Sequence, residues 1–201
     1  MRNFEAKSIK SYNEKADDYD NTFDGKFTVK FKHYLLEKIK LTVGDAVLDI
    51  ACGNGTLLNM LSSKYNIIGK GVDISEKMIA NARMKAPQMM FEVAGCESIP
   101  FDDETIDIIT VCAAYHHFPN VRLFAKEAHR LLKENGTIYI ADVYYSTIIR
   151  WIINPFVPLS KAGDVRFYSP NEIIKNFEAF GFEAINISIN GHVQIVSLRK
   201  V

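Results

Sequence analysis

Cysteine is scarce in this chain. Three residues among 201, Cys52, Cys96 and Cys112, are too few and too scattered for a disulfide framework or a cysteine zinc site. The five histidines lack metal-ligand spacing as well. Only His116 and His117 are close, and adjacent residues cannot share a helix face as an i, i+4 pair does, so no metal is expected. Charge of one sign is also missing. Lys plus Arg and Asp plus Glu number 24 each, for a formal net charge of zero, whereas non-specific nucleic-acid binding needs a large positive field. No nucleic-acid partner is therefore expected. No apolar run reaches the ~18 residues of a membrane span, so stable membrane insertion is not expected either. The opening MRNFEAKSIKSYNEKADDYD has no apolar segment of signal-peptide type, and the chain reads as reduced and cytoplasmic. Repeats, low-complexity tracts and flexible linkers are absent. What remains is an ordinary globular composition, 48% hydrophobic and 24% charged, at a length that suits one domain with a full core.

Residues 1–40 are polar and helix-like, with Phe27, Phe31, Tyr34, Leu35 and Ile39 at helical spacing. Beyond them the pattern alternates. Short apolar runs at 46–50, 66–72, 89–94, 106–112 and 137–143 read as strands. Between them lie helical stripes: Leu57, Leu58 and Leu61, then Met78, Ile79, Ala82 and Ala86 after Ser75, then 121–132. Asn135-Gly136 is read as a left-handed cap ending the last of these. Alternating strand and helix predicts right-handed crossovers and a parallel sheet with helices on both faces. The final third differs. Ser169-Pro170-Asn171-Glu172 is a capping box with proline at the first helical position, and Gly181 closes the helix. Ile185, Ile187 and Ile189 then alternate with polar residues up to Asn190-Gly191, and Val193 and Ile195 follow. Asn-Gly between alternating runs signals a hairpin with a type I′ turn, so the sheet should finish antiparallel.

The candidate site begins at 49–55, DIACGNG, where the first strand becomes a helix. Glycines let backbone approach a ligand, the helix N-terminus favours negative charge, and open parallel sheets bind ligands outside the carboxyl ends of their strands. Asp73, at the end of strand two, can accept hydrogen bonds from the vicinal hydroxyls of a ribose. This pattern predicts an adenosine-type cofactor. Leu58 occupies the place of the third glycine in a dinucleotide fingerprint, and the Lys-Ser/Thr pair of a P-loop is missing. A nucleoside without phosphates therefore fits better than a dinucleotide. Two alternatives stand beside an enzyme using such a nucleoside: a nicotinamide-dependent Rossmann oxidoreductase, and a non-catalytic cofactor-binding protein on the same fold.

Taken together, VLDIACGNGTLL, GVDISEKMIANAR, CESIPFDDETIDIITVCAAYHHF, EAHRLLKENGTIYIAD and YSPNEIIKNFEAFGF resemble the class I S-adenosylmethionine-dependent methyltransferases. The likeness is greatest to the small-molecule branch that includes quinone-biosynthesis C-methyltransferases. The resemblance implies a Rossmann-like α/β fold: a seven-stranded, mostly parallel sheet in the order 3-2-1-4-5-7-6, strand 7 antiparallel, with helices on both faces. It implies methyl transfer from S-adenosylmethionine to a small-molecule acceptor, leaving S-adenosylhomocysteine. A single domain is expected, its core at 41–201 and an N-terminal helical lid at 1–40, working as a monomer or homodimer. By the same resemblance Asp49, Ala51, Gly53 and Gly55 line the methionine part of the cofactor, and Asp73 holds the ribose. Ile74 and Met78 pack on the adenine, with Cys96 and Glu97 along its edge. Cys112 lies beside the sulfonium and amino group, and Tyr19 closes the site from the lid. Two positions depart from the family. Ala51 stands where glycine is usual, which suits alanine if φ is negative there. Gly95 stands where an aspartate often accepts from the adenine amino group.

In-line displacement at a sulfonium needs mainly alignment, and a base assists acceptors that must lose a proton. His117 or His116 is the candidate base, because histidine titrates near neutrality. Tyr12, Tyr115 and Tyr168 could orient the acceptor. The apolar stretch 151–159 is read as a wall over the acceptor pocket.

Overall fold

The computed structural model describes residues 3–201. Seven strands form one sheet: β1 (Ala46–Ile50), β2 (Ile68–Asp73), β3 (Met90–Val93), β4 (Ile106–Cys112), β5 (Leu132–Val143), β6 (Phe182–Asn190) and β7 (Val193–Lys200). Their order is β3-β2-β1-β4-β5-β7-β6. The first five run parallel, and β7 lies antiparallel between β5 and β6. The expected order and the antiparallel seventh strand are both present.

Side chains alternate across the strands and build two cores. Val47, Ile108, Tyr139, Ala141 and Ile195 face one side, under α2 (Phe23–Lys38), α3 (Thr56–Lys64) and α4 (Glu76–Lys85). Leu48, Ile50, Ile109, Val111, Ile138 and Ile140 face the other, under α5 (Val121–Leu131) and α7 (Pro170–Glu178). Burying each such leucine or isoleucine contributes about 1.5–3 kcal/mol, which is why β1 reads as continuously apolar apart from Asp49. Two further helices stand outside these layers: α1 (Asn3–Lys15), joined to α2 by a 3-10 stretch at Ala16–Asn21, and α6 (Thr147–Ile153). The expected lid 1–40 divides here. Phe31 and Leu35 of α2 are fully buried in the core, so α2 is part of the body, while α1 and the 3-10 stretch lie over the site. Met1 and Arg2, also within the expected lid, fall outside the described residues.

Two local readings are corrected. Helix α5 stops at Leu131, because Leu132 is already extended (φ −72, ψ 138) and pairs with Ile106. Asn135 is left-handed (φ 63), but it shapes a loop inside β5 rather than a helix cap. The register jumps from Ile106↔Leu132 to Ile108↔Thr137, and Lys133 Nζ pins the loop to Asp107 at 2.7 and 2.8 Å. In the hairpin, Asn190 pairs with Val193 as part of the strand. The two-residue turn is therefore Gly191-His192, and only Gly191 has positive φ (57). That is the sign pattern of a type II′ turn rather than type I′.

Candidate active site

A cleft opens at the carboxyl ends of β1, β2 and β4, where the strand order reverses between β1 and β4. This is the ligand position expected of an open α/β sheet. Its floor is Ile50, Ala51, Gly53, Asp73 and Ile74. One wall comes from Met78 and the stretch Ala94, Gly95, Cys96, and another from Cys112, Ala113, Ala114, His117, Phe118 and Pro119. Glu5, Ser8, Tyr12 and Tyr19 roof it from α1 and the 3-10 stretch. Counting its open mouth the cleft spans ≈ 790 Å³. Among the described residues, no lysine or arginine lines it.

Asp73 is fixed by backbone. Its Oδ2 accepts from Gly53 N at 2.8 Å and its Oδ1 from Ser75 N at 2.9 Å. Each carboxylate oxygen has a second lone pair, so the group retains acceptor capacity on the cleft. Burial raises its pKa, opposed by these backbone donors. Ser75 caps α4 by accepting from Met78 N, and its hydroxyl donates to Asn13 Oδ1 of α1 at 2.6 Å. The roof is tied down further by Asn81 Nδ2 on Ala16 O (2.8 Å), Asn54 Nδ2 on Asp20 (3.0 Å) and Lys85 on Asp20 (2.6 Å).

Ala51 departs from the sequence expectation, because its φ is +57 rather than negative. Gly53 is left-handed as well (φ 53), and a Cβ built there meets no atom within 4 Å, so the loop leaves open space beside Asp73. Gly55 (φ 76) serves packing instead: a Cβ there would stand 3.1 Å from Ala82 and 3.2 Å from Phe91. Asp49 lies beneath the floor, nearly fully buried, and accepts from Thr110 Oγ1 at 2.7 Å. Burial pushes its pKa up to about 7, against the Thr110 hydroxyl and the charge of Lys32.

The two histidines separate. His116 is buried and does not line the cleft. Its backbone N–H donates to Asp142 Oδ2 at 2.9 Å, and its Nδ1 lies 2.7 Å from Asp142 Oδ1. Burial lowers its pKa, but the charge and hydrogen bond of Asp142, with Asp164 behind, raise it overall. His117 faces the cleft. Its Nε2 meets the Tyr12 hydroxyl at 3.1 Å, and its Nδ1 lies 3.1 Å from Asp164 Oδ1 without hydrogen-bond alignment. Burial and the neighbouring His116 push its pKa down to about 4, so the ring is neutral at pH 7. His116, His117 and Asp164 bring ligand-type atoms within 4.8 Å of one another, a convergence that histidine spacing alone did not signal.

Of the residues singled out from sequence, Tyr19, Ala51, Gly53, Asp73, Ile74, Met78, Cys96, Cys112 and His117 share the cleft wall. Asp49, Gly55, Glu97 and His116 do not. Burial, the largest influence, raises the Cys112 thiol pKa well above its ordinary value, so it stays a neutral thiol. Tyr115 is fully buried, with its hydroxyl 3.3 Å from Asn176 Nδ2, and Tyr168 is also off the cleft. Tyr12 is the expected acceptor-orienting tyrosine that reaches it. None of the residues 151–159 lines the cleft, so the expected acceptor wall is not there. Glu5 and Ser8 were not anticipated. They come from a polar helix whose contacts with the cleft are distant in sequence.

A family model described as a methyltransferase domain matches residues 48–140. A demethylmenaquinone methyltransferase of Thermotoga maritima is 26% identical, over 77% of this chain and 77% of its own length. A 27-O-demethylrifamycin SV methyltransferase of Amycolatopsis mediterranei is 27% identical over 57% of this chain, and the match spans only 44% of its length. Among solved structures, a chain in the complex of the Haloferax volcanii Trm112 methyltransferase activator with a methyltransferase superposes with a TM-score of 0.76. The superposition covers 99% of this chain and 98% of that one at 19% identity, a likeness of fold. The match to the methyltransferase domain spans residues 48–140, and the strand order is that of the class I methyltransferase fold.

Proposed function

We propose that the protein transfers a methyl group from S-adenosylmethionine to a small-molecule acceptor. The observation that carries this reading is a cleft at the carboxyl ends of β1, β2 and β4 in which Asp73 and Glu5 are the charged groups among the described lining residues, with no described lysine or arginine in its walls. Such a lining suits a cationic, phosphate-free nucleoside and gives the pyrophosphate of a dinucleotide no counter-charge. When bound, S-adenosylmethionine supplies a methyl group activated by its sulfonium, which leaves by in-line displacement.

The chain's own residues then divide the work. Asp73 would accept from the ribose diol with the lone pairs left by Gly53 N and Ser75 N. Ile74 and Met78 would flank the adenine, with Cys96 at its edge. Gly95 lacks the aspartate of the family, yet Glu5 Oε1 lies 3.9 Å from where a Cβ on Gly95 would stand. Glu5 therefore supplies that carboxylate from the roof, which couples base recognition to closure of α1. Cys112 and, behind it, Asp49 border the methionine end. Tyr12 and Tyr19 close the cleft against water.

His117 is the base. Its Nε2 lies 3.1 Å from the Tyr12 hydroxyl, and in the tautomer that leaves the lone pair on Nε2 a proton leaving the acceptor can pass to His117 through Tyr12. Burial and the neighbouring His116 lower its proton affinity and make it a weak base. It suits an acceptor whose own proton is already acidic, such as a phenol or enol. His116 acts through position only, held by Asp142. No helix among the described residues is long and apolar enough to cross a membrane, and the reading needs nothing beyond a monomer or homodimer.

Calorimetric titration with S-adenosylmethionine, S-adenosylhomocysteine and NAD tests the assignment. The first two should bind and NAD should not; binding of NAD alone would overturn it. Labelled methyl transfer into a metabolite extract then separates an enzyme from a cofactor-binding protein, which would leave every acceptor unlabelled.

A further inference from the structure

Helix α6 has no buried residue. It and the turn after it expose Ile148 (73%), Trp151 (80%), Phe156 (66%) and Leu159 (75%), with Ile149 and Ile152 about half exposed. A patch of this size, held on a short ordered helix, marks a docking surface rather than scattered surface apolarity. Its charge is one-sided. From residue 144 to residue 163 there is no aspartate or glutamate, only Arg150 and Lys161. Lys7 of α1 reaches the same segment, donating to Pro158 O at 3.3 Å and Ser160 O at 3.4 Å. Glu172 is shared by Arg150 and Arg166, so one of those two cations is uncompensated. Asp164 is turned onto His116 and His117 and does not offset the patch.

An apolar helical turn carrying tryptophan and rimmed by uncompensated cations has the chemistry of an interfacial anchor. The aromatic ring sits at headgroup level and the cations meet anionic lipid. We propose that α6 and the turn through Leu159 dock this protein, reversibly and without spanning, on an anionic lipid surface. The docking element adjoins the roof of the cleft. Ser8, which lines the cleft, donates to Ala162 O at 3.0 Å, so the chain that meets the lipid also holds α1 over the site. An acceptor dissolved in that surface would reach the cleft mouth without crossing bulk water.

Trp151 is the chain's sole tryptophan and reports on the patch directly. The full chain is titrated with phosphatidylcholine vesicles and with vesicles containing phosphatidylglycerol, reading Trp151 emission and vesicle co-sedimentation. With anionic vesicles the emission should move to shorter wavelength. Neutral vesicles should bind at least about tenfold more weakly, since each cation near an anionic surface is worth about fivefold. An Ile148→Ser/Ile152→Ser/Phe156→Ser variant should lose about tenfold or more in vesicle affinity, while its far-ultraviolet circular dichroism and S-adenosylmethionine affinity stay unchanged. Lys161→Gln should weaken anionic binding about fivefold. No emission change with either vesicle, or equal affinity for both, would overturn the proposal. So would an emission shift that grows with protein concentration in the absence of lipid and accompanies a doubling of mass in sedimentation. That result would assign the patch to a second copy of the chain. None of these readings requires methyl transfer, so failure here leaves the proposed activity standing, and the reverse.

Discussion

Replacing Asp49 by Asn isolates a buried carboxylic acid beneath the cleft. Asp49 sits on β1 beside Thr110 of β4, nearly inaccessible, with its pKa pushed up to about 7 by burial. In the unfolded chain the same group titrates near 4. Between those values the unfolded chain loses its proton and the folded chain keeps it. Asp49 therefore favours the folded state fully below about pH 4, and that contribution is lost as pH rises through about 7. Three units correspond to roughly 4 kcal/mol, an upper figure for a group with a cation, Lys32, in range. Asparagine keeps the acceptor for Thr110 and carries no proton equilibrium. Urea unfolding of both proteins at intervals from pH 4 to pH 8 gives the difference directly. The stability of Asp49→Asn relative to the parent should rise by a few kcal/mol up to about pH 7 and then level off. A difference that stays flat across that range would refute the buried-acid reasoning. The same group makes a second forecast. A cationic cofactor above it favours the ionised form, so S-adenosylmethionine binding at pH 6–7 should release a proton. Calorimetry in buffers of different ionisation enthalpy reads that release, and it should vanish in Asp49→Asn.

Asp73→Asn should weaken S-adenosylmethionine at least about 100-fold, since two charge-assisted hydrogen bonds of about 1.5–3 kcal/mol each are lost; calorimetry would show the reasoning wrong if affinity changed by less than about threefold. Ala51→Gly should raise the urea midpoint without altering its slope, because relief of a left-handed alanine, about 1–2 kcal/mol, exceeds the added unfolded-state entropy of about 0.4–1 kcal/mol. His117→Gln should lower kcat by about 10²–10⁴-fold for an acceptor that loses a proton, with cofactor affinity retained, and loss of cofactor binding instead would reassign the residue to structure. Glu5→Gln should weaken S-adenosylmethionine and S-adenosylhomocysteine alike, by roughly 3–10-fold for one hydrogen bond to a charged group at a partly exposed roof, and unchanged affinity would remove Glu5 from base recognition.

The sheet was legible because its signals are local. Apolar runs of strand length between helical stripes set the parallel part, and the residues Ile185 to Ile189 followed by Asn-Gly set the hairpin, although the turn fell one residue later than the dipeptide suggested. Asp73 and the Gly53 loop were legible for the same reason: strand, turn and acidic residue lie within a short stretch of chain. The roof was not. Glu5, Ser8 and Tyr12 reach the cleft across long sequence separations, and nothing in the polar pattern of α1 says which face turns inward. The partners of the histidines were missed too, although one signal was available. Asp142 stands in the otherwise apolar run IYIADV, and a carboxylate in a buried strand needs a partner; His116 is that partner. The stretch 151–159 shows the converse limit. Apolar composition says that water is disfavoured there, but not what covers it, and in the fold none of it lines the cleft.

The ends of β1 and β4 show how the backbone at the floor of the cleft is held. These neighbouring strands finish alike, each followed by an alanine with positive φ, Ala51 at 57 and Ala113 at 55, and both alanines line the cleft. Left-handed alanine costs about 1–2 kcal/mol at each position. Such strain persists only where surrounding contacts over-determine the backbone, and here they do. The sheet ladder reaches the strained turn on both strands, with Cys52 N, one residue past Ala51, on Val72 O at 2.9 Å and the N–H of Ala113 itself on Ala141 O at 2.7 Å. The turn is thus clamped from the sheet side while its other face stays open. One consequence is visible in the geometry: the chain beyond Ala51 swings so that Gly53 N reaches Asp73 Oδ2, which fixes the carboxylate with acceptor capacity to spare. Glycine at position 51 would relax the strain but would also admit other backbone paths, each aiming Gly53 N elsewhere. Alanine narrows those paths before any ligand arrives, and a cleft already in its binding geometry loses less entropy on filling.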